Sequence, residues 1–234
     1  MKIGFLPLYL ALYDKVSPDT RPRVQAFADQ TAQDLRHLGF EVVQSPICRV
    51  KEEFRNAVET FRKENVQGIV TLHLAYSPSL ESADILAESG LDIVMLDATP
   101  DEEFSFEDTG KLMFNHGIHG VQDLANLLCR KKKLFCIEAG HTEQSDVLAR
   151  LQSRLKGIHA AWTMRHIRVG SAGGEFDGMG DFRFDVKDLP MEIIPYTEQK
   201  VTPEEIHREV LLDQDRFIHG TYDKELYQQT LEDN

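Results

Sequence analysis

Two imidazoles three residues apart can share a metal ion, present nitrogens to the hydroxyls of one substrate, or simply pack at a helix start. The run Met113 to Arg130, MFNHGIHGVQDLANLLCR, sets His116 and His119 at that spacing, with Gly117 and Gly120 interleaved. A metal needs about two further ligands, and the H-E-x-x-H zinc pattern is absent. Asn115 stands where a side chain caps the helix that follows. The glycines permit a tight turn or a close approach of backbone to a ligand. Elsewhere, His73 lies in or just past an apolar run and reads as a hydrogen-bonded core histidine. Asp97 invites a phospho-acceptor reading, which fails because FLPLYL lacks the acid pair such sites need. The loop GSAGGEFDGMG fits neither phosphate-loop signature, and its Glu175, Asp177 and Asp181 would repel a phosphate, so it reads as a mobile loop or hinge. No Ser-His-Asp or Cys-His arrangement is present.

The elements that must position these residues alternate regularly. KIGFLPLYL, FEVVQSP, VQGIVTLHLA, LDIVMLDAT, KLFCIEAG and HIRVGS read as strands. Between them lie helical patterns over Arg23 to Leu38, Val50 to Glu64, Ser79 to Gly90, the opening stretch, and His141 to Ala161. Strands alternating with helices predict βαβ units and a parallel sheet, so residues 1–162 read as one doubly wound α/β domain of Rossmann or flavodoxin type. The runs for strands three, four and five are nearly continuously apolar, as for strands covered on both faces. From residue 163 the texture changes, and 163–234 reads as the beginning of a second α/β domain. There LPMEIIPY is a strand candidate, and Thr202, Pro203 and Glu205 form a capping box before a helix. The final TLEDN reads as disordered.

In open α/β sheets ligands bind beyond the carboxyl ends of the strands. The loops there, YLALYD, HLAYSPS, DATPDEE, NHGIHG and GHTEQS, gather Tyr, His, Ser, Asn and acid at one edge. That composition suits a polyhydroxylated small molecule. The net charge of -13 argues against nucleic acid and anionic membranes. The basic cluster CRKKKL reads as a solvated helix end. Three cysteines, Cys48, Cys129 and Cys136, match no zinc or redox spacing, and Cys136 reads as a buried small hydrophobe. No run is long and apolar enough to span a membrane, and MKIGFLPLYLALYD lacks a cleavage site, so the expected compartment is cytoplasmic.

Taken in order, LHLAYSPSL, LDATPDEEFS, NHGIHGVQDLANLLCR and VGSAGGEFDGMGDF resemble the L-fucose/L-arabinose isomerase family, and more closely its fucose-isomerase-like branch. AYSPS at Ala75 to Ser79 resembles the family's T-F-S-P stretch, and NHGIHG its N-Q-T-x-H-G stretch. GMGDF resembles the first loop of the middle domain. The resemblance implies an aldose–ketose isomerase that works through an enediol, with a divalent ion, typically manganese, held by two carboxylates and a histidine. Family members are three-domain chains, and their metal ligands lie in later parts that have no match here. The implied piece is the N-terminal domain and the start of the middle one, with no metal bound by this chain alone. In the family the N-terminal domain covers a neighbouring subunit's active site, so a homo-oligomer with a shared site is implied. His119 falls on the family's substrate-contacting histidine, with His116, Tyr76 and Tyr13 as further candidates. Two alternatives stand beside this: a non-catalytic sugar-binding or regulatory module, and a subunit that completes a partner's active site.

Overall fold

The computed structural model describes residues 1–103, 105, 107, 110–171, 178–180, 185–195 and 202–217. The loop GSAGGEFDGMG lies largely, and the C-terminal TLEDN wholly, outside the described residues. Two compact units divide the chain, Met1–Ile167 and one that begins at Arg168. The expected boundary near residue 162 moves to Ile167 because α6 (Val147–His166) runs five residues past Ala161. It also begins six residues later than expected. His141 to Ser145 form a turn closed by the Ser145 amide on the His141 carbonyl.

In the first unit, five strands are hydrogen-bonded in parallel in the order β2-β1-β3-β4-β5. They are β1 (Lys2–Leu8), β2 (Glu41–Gln44), β3 (Gly68–His73), β4 (Asp92–Asp97) and β5 (Phe135–Ala139). The alternation of side chains along each strand sorts the apolar residues into two cores. Ile3, Phe5, Val70, Leu72, Val94 and Leu96 pack against α2 (Arg21–His37) and α6 through Val24, Ala28, Leu35, Leu151 and Leu155. Leu6, Leu8, Ile69, Ile93 and Met95 face α3 (Lys51–Lys63), α4 (Ala83–Ala87) and α5 (Gly117–Arg130). Helices thus cover both faces, as the doubly wound reading requires. Gly39 (φ +92) and Gly90 (φ +74) sit just beyond α2 and α4, where left-handed backbone ends a helix without a Cβ penalty.

β3 is buried at every residue, and β4 at its four central ones, which accounts for their apolar runs. β5 departs from expectation. It is an edge strand, bonded only to β4 among the described residues, and Ile137 is 42% exposed and Cys136 only partly buried. Its other face carries Glu138, buried and ion-paired to Arg150 and Arg154 on α6, both at 2.8 Å. Ser79 to Gly90 forms a 3₁₀ turn (Ser79–Glu81) and the short α4 rather than one helix.

In the second unit, β6 (Arg168–Ser171) and β7 (Glu192–Pro195) form a two-stranded parallel sheet. The capping box of α7 (Pro203–Phe217) is present. The Thr202 amide donates to Glu205 Oε2 at 2.9 Å, and the Glu205 amide donates to Thr202 Oγ1 at 3.2 Å.

Candidate functional site

With the order β2-β1-β3-β4-β5, the chain leaves β1 toward β2 and returns past it to β3. The switch point therefore lies between the carboxyl ends of β1 and β3, where crevices form in such sheets. The segment after β1 turns into α1 (Tyr13–Val16), a helix of one turn that cannot hold itself. Tertiary contacts fix it. Tyr9 is fully buried, bonds Thr20 Oγ1 through its hydroxyl at 2.7 Å, and packs its ring 5.5 Å from that of Tyr13. Asp14 accepts from Arg49 at 2.6 Å and from Arg21 at 3.3 Å. Burial pushes the Tyr13 phenol up from its ordinary value, so it remains a hydrogen-bond donor at neutral pH.

The segment entering α5 is fixed from another direction. Arg23 of α2 lies over the Phe114 ring, 4.1 Å from its centroid, and pairs with Asp101. Asn115 does not cap α5. Its amide nitrogen donates to Asp101 Oδ2 at 2.9 Å and to the Lys111 carbonyl at 2.8 Å, and its oxygen accepts from the Asp101 amide. His116 takes the capping position without a side-chain cap bond. Pinning the long β4–α5 segment is worth more hydrogen bonds to Asn115 than the single bond of a cap.

The two glycines have a definite purpose. A Cβ on Gly117 would lie 2.6 Å from the His73 carbonyl oxygen, and one on Gly120 would lie 2.7 Å from His73 Nδ1 and 3.1 Å from Ser77 Oγ. They let the start of α5 press against the carboxyl end of β3. His73 is 2% exposed and shares a hydrogen bond with Ser77 Oγ at 2.8 Å, while its Nε2 and the Thr71 hydroxyl, two residues back on the same strand face, have no hydrogen-bond partner among the described residues. The core-histidine reading thus stands. Burial pushes the imidazole down to about 3, so it is neutral at physiological pH.

These constraints bring Tyr13, His116 and His119 to one pocket of about 350 Å³, whose remaining lining is Leu112 and Met113. The imidazole centroids are 5.6 Å apart, and His119 Nδ1 faces the His116 carbonyl oxygen at 3.3 Å. Burial, then the neighbouring His119, lowers the His116 pKa. Tyr76 is not in this lining. Its hydroxyl donates to Asp123 Oδ2 at 3.3 Å, and the Ser79 amide does the same, so Asp123 on α5 clamps the β3–α4 loop. Ala75 within that loop takes a left-handed φ of +61, which costs a non-glycine residue about 1–2 kcal/mol. Sequence reasoning missed Asp123, Asp14 and the wall residues Leu112 and Met113. None carries a local signal, since each is defined by what the fold brings beside it.

A larger depression of about 480 Å³ lies beside the β2 edge, lined by residues 44–49, Arg21 and α3. Arg49 there is held firmly charged by Glu53 and Asp14, so the ions of that groove answer one another.

Among the described residues, no three His, Cys, Asp or Glu side chains gather around one point. The pocket offers two imidazoles, a phenol and a thioether, whereas manganese favours oxygen ligands, so these donors do not fit the ion the family resemblance implies.

Fold and site together define a doubly wound α/β domain of flavodoxin-like strand order, with an aromatic, histidine-bearing pocket beyond the carboxyl ends of its strands. No protein-family model and no curated protein matches the chain. No helix among the described residues is long and apolar enough to cross a membrane.

Proposed function

We propose that this chain supplies the sugar-recognition side of an aldose–ketose isomerase of the L-fucose/L-arabinose isomerase type. One observation carries the reading: Tyr13, His116 and His119, from segments about a hundred residues apart, line one pocket at the switch-point edge. Neutral imidazole and phenol both donate and accept hydrogen bonds, and so suit the hydroxyls of a pentose or hexose. The Tyr13 ring and the Leu112 and Met113 side chains offer apolar surface to a sugar's C–H face. The role assigned to this chain is binding and orientation. In the complete enzyme a metal centre would supply the Lewis-acid chemistry, and the pocket's donors do not fit manganese. A site shared with a neighbouring subunit of a homo-oligomer belongs to the same proposal, as does a cytoplasmic location.

The test is calorimetry of the 234-residue chain against a panel of pentoses and deoxyhexoses, with EDTA present. The expected result is saturable binding of at least one sugar, weakened about tenfold or more by His119→Ala, the scale of one or two lost hydrogen bonds. A flat panel, or an H119A protein that binds as the parent does, overturns the reading.

A further inference from the structure

The histidine pair has a second chemical capacity, independent of sugar binding. The ring centroids lie 5.6 Å apart. An ion about 2.1 Å from one nitrogen of each ring would lie about 3.3 Å from each centroid, so two rings 5.6 Å apart are within the span that one ion can bridge. His119 faces the His116 carbonyl oxygen with Nδ1 at 3.3 Å. An Nδ1–H donated to a backbone carbonyl fixes the tautomer and leaves the Nε2 lone pair free, the usual arrangement of a metal-binding histidine. His116 is held from behind, because Asn115 is tied to Asp101 and Gly117 is packed on β3. Met113 lines the same pocket with a thioether.

We propose that His116 and His119 form a binding site for a borderline divalent transition ion of the zinc, cobalt or nickel class, with Met113 and solvent completing its coordination. The donor set selects the ion. Imidazole suits zinc, nickel and copper, whereas manganese, magnesium and calcium favour carboxylate and carbonyl oxygen. The position selects in the same direction. The amino end of α5 opposes positive charge, so affinity has to come from ligand bonds to nitrogen rather than from attraction to a field. Ions held chiefly by charge gain little there.

Cobalt(II) is the probe, because its visible absorption reports ligand number and geometry. Titration of the full chain is expected to show one equivalent bound, with the intense visible bands of four- or five-coordinate cobalt. His116→Ala and His119→Gln should each weaken binding at least about tenfold, and Met113→Leu should shift the bands. Zinc should displace the cobalt and manganese should not. His141→Ala serves as the control and should bind as the parent does. His119 is exposed, so far-UV circular dichroism of H119Q should match the parent and separate lost ligation from lost folding. The proposal is overturned by no saturable cobalt binding, by an H119Q protein that binds normally, by a loss shared equally with H141A, or by manganese displacing cobalt as well as zinc does. Sugar binding measured in EDTA does not depend on this result, so either reading can fail while the other holds.

Discussion

Acid should destabilise the first unit through His73 well before its carboxylates respond. The folded protein keeps this imidazole neutral down to about pH 3 because its ring is buried, with the nearby Asp123 charge only partly opposing that effect. In the unfolded chain the ordinary value of 6.5 returns. Between those values the unfolded state binds a proton that the native state refuses, so stability falls as pH falls. The full slope is about 1.4 kcal/mol per pH unit, and lowering the pH from 7 to 5 removes about 2 kcal/mol. The carboxylates with resolved downward shifts, such as Glu138 and Glu53, lose their contributions only below their ordinary value of 4.5. The window from pH 6.5 to 5 is therefore dominated by histidine. Urea unfolding at several pH values, followed by the fluorescence of the single tryptophan, Trp162 on α6, reads the first unit. Trp162 stacks on His166, so midpoints and slopes rather than raw intensities are the quantity to compare. His73→Gln lowers stability at every pH but should flatten the dependence between pH 5 and 6.5 by about 1 kcal/mol per unit. If H73Q and the parent lose stability at the same rate, a buried neutral His73 is not the origin of the acid sensitivity, and the packing described for the end of β3 is wrong.

Two further outcomes follow from the same contacts. Gly120→Ala places a methyl 2.7 Å from His73 Nδ1 and 3.1 Å from Ser77 Oγ. Overpacking of about 1–3 kcal/mol should outweigh the helix-propensity gain of up to about 1 kcal/mol, lowering the calorimetric Tm by several degrees. An unchanged or raised Tm would contradict the close approach of α5 to β3. For Glu138, burial works to raise the carboxyl pKa, and hydrogen bonds from Arg154 and Arg150 outweigh it, so the group stays below its ordinary range. Its contribution is present at neutral pH and lost as pH falls through that lowered value. Glu138→Gln should cost about 2 kcal/mol at pH 7, the scale of charge-assisted hydrogen bonds, in chemical denaturation, and progressively less toward pH 3. A pH-independent cost would show that the ion pairs do not carry it.

Much of the architecture was legible before any contact was known. The periods of 2 and 3.6 in the apolar residues, with Gly39 and Gly90 as stops, are local properties, and they predict six strands, their helices and a parallel sheet; five of the six form that sheet, and the sixth, β6, pairs with β7 instead. β5 shows the limit. Its residues read as a strand covered on both faces, yet hydrophobicity along a chain does not say which neighbour arrives, and at the sheet's edge Ile137 stays 42% exposed. The long α6 also runs on to His166, because helix ends depend on what packs there as much as on composition.

The site divides in the same way. The sequence by itself determined that histidines, tyrosines and glycines lie in loops at one edge of the sheet, since that follows from the order of strands and helices. Only the tertiary structure decided which of them meet. It joined Tyr13 to His116 and His119 through a one-turn helix held by Tyr9, Asp14, Arg21 and Arg49, and it turned Tyr76 to Asp123 instead. It gave Asn115 to Asp101 rather than to the helix start. It also explained Gly117 and Gly120, whose missing side chains make room for His73, a residue more than forty positions earlier. A side chain's partners are fixed by distance in space, and a folded chain makes close neighbours of residues that no spacing in the sequence relates.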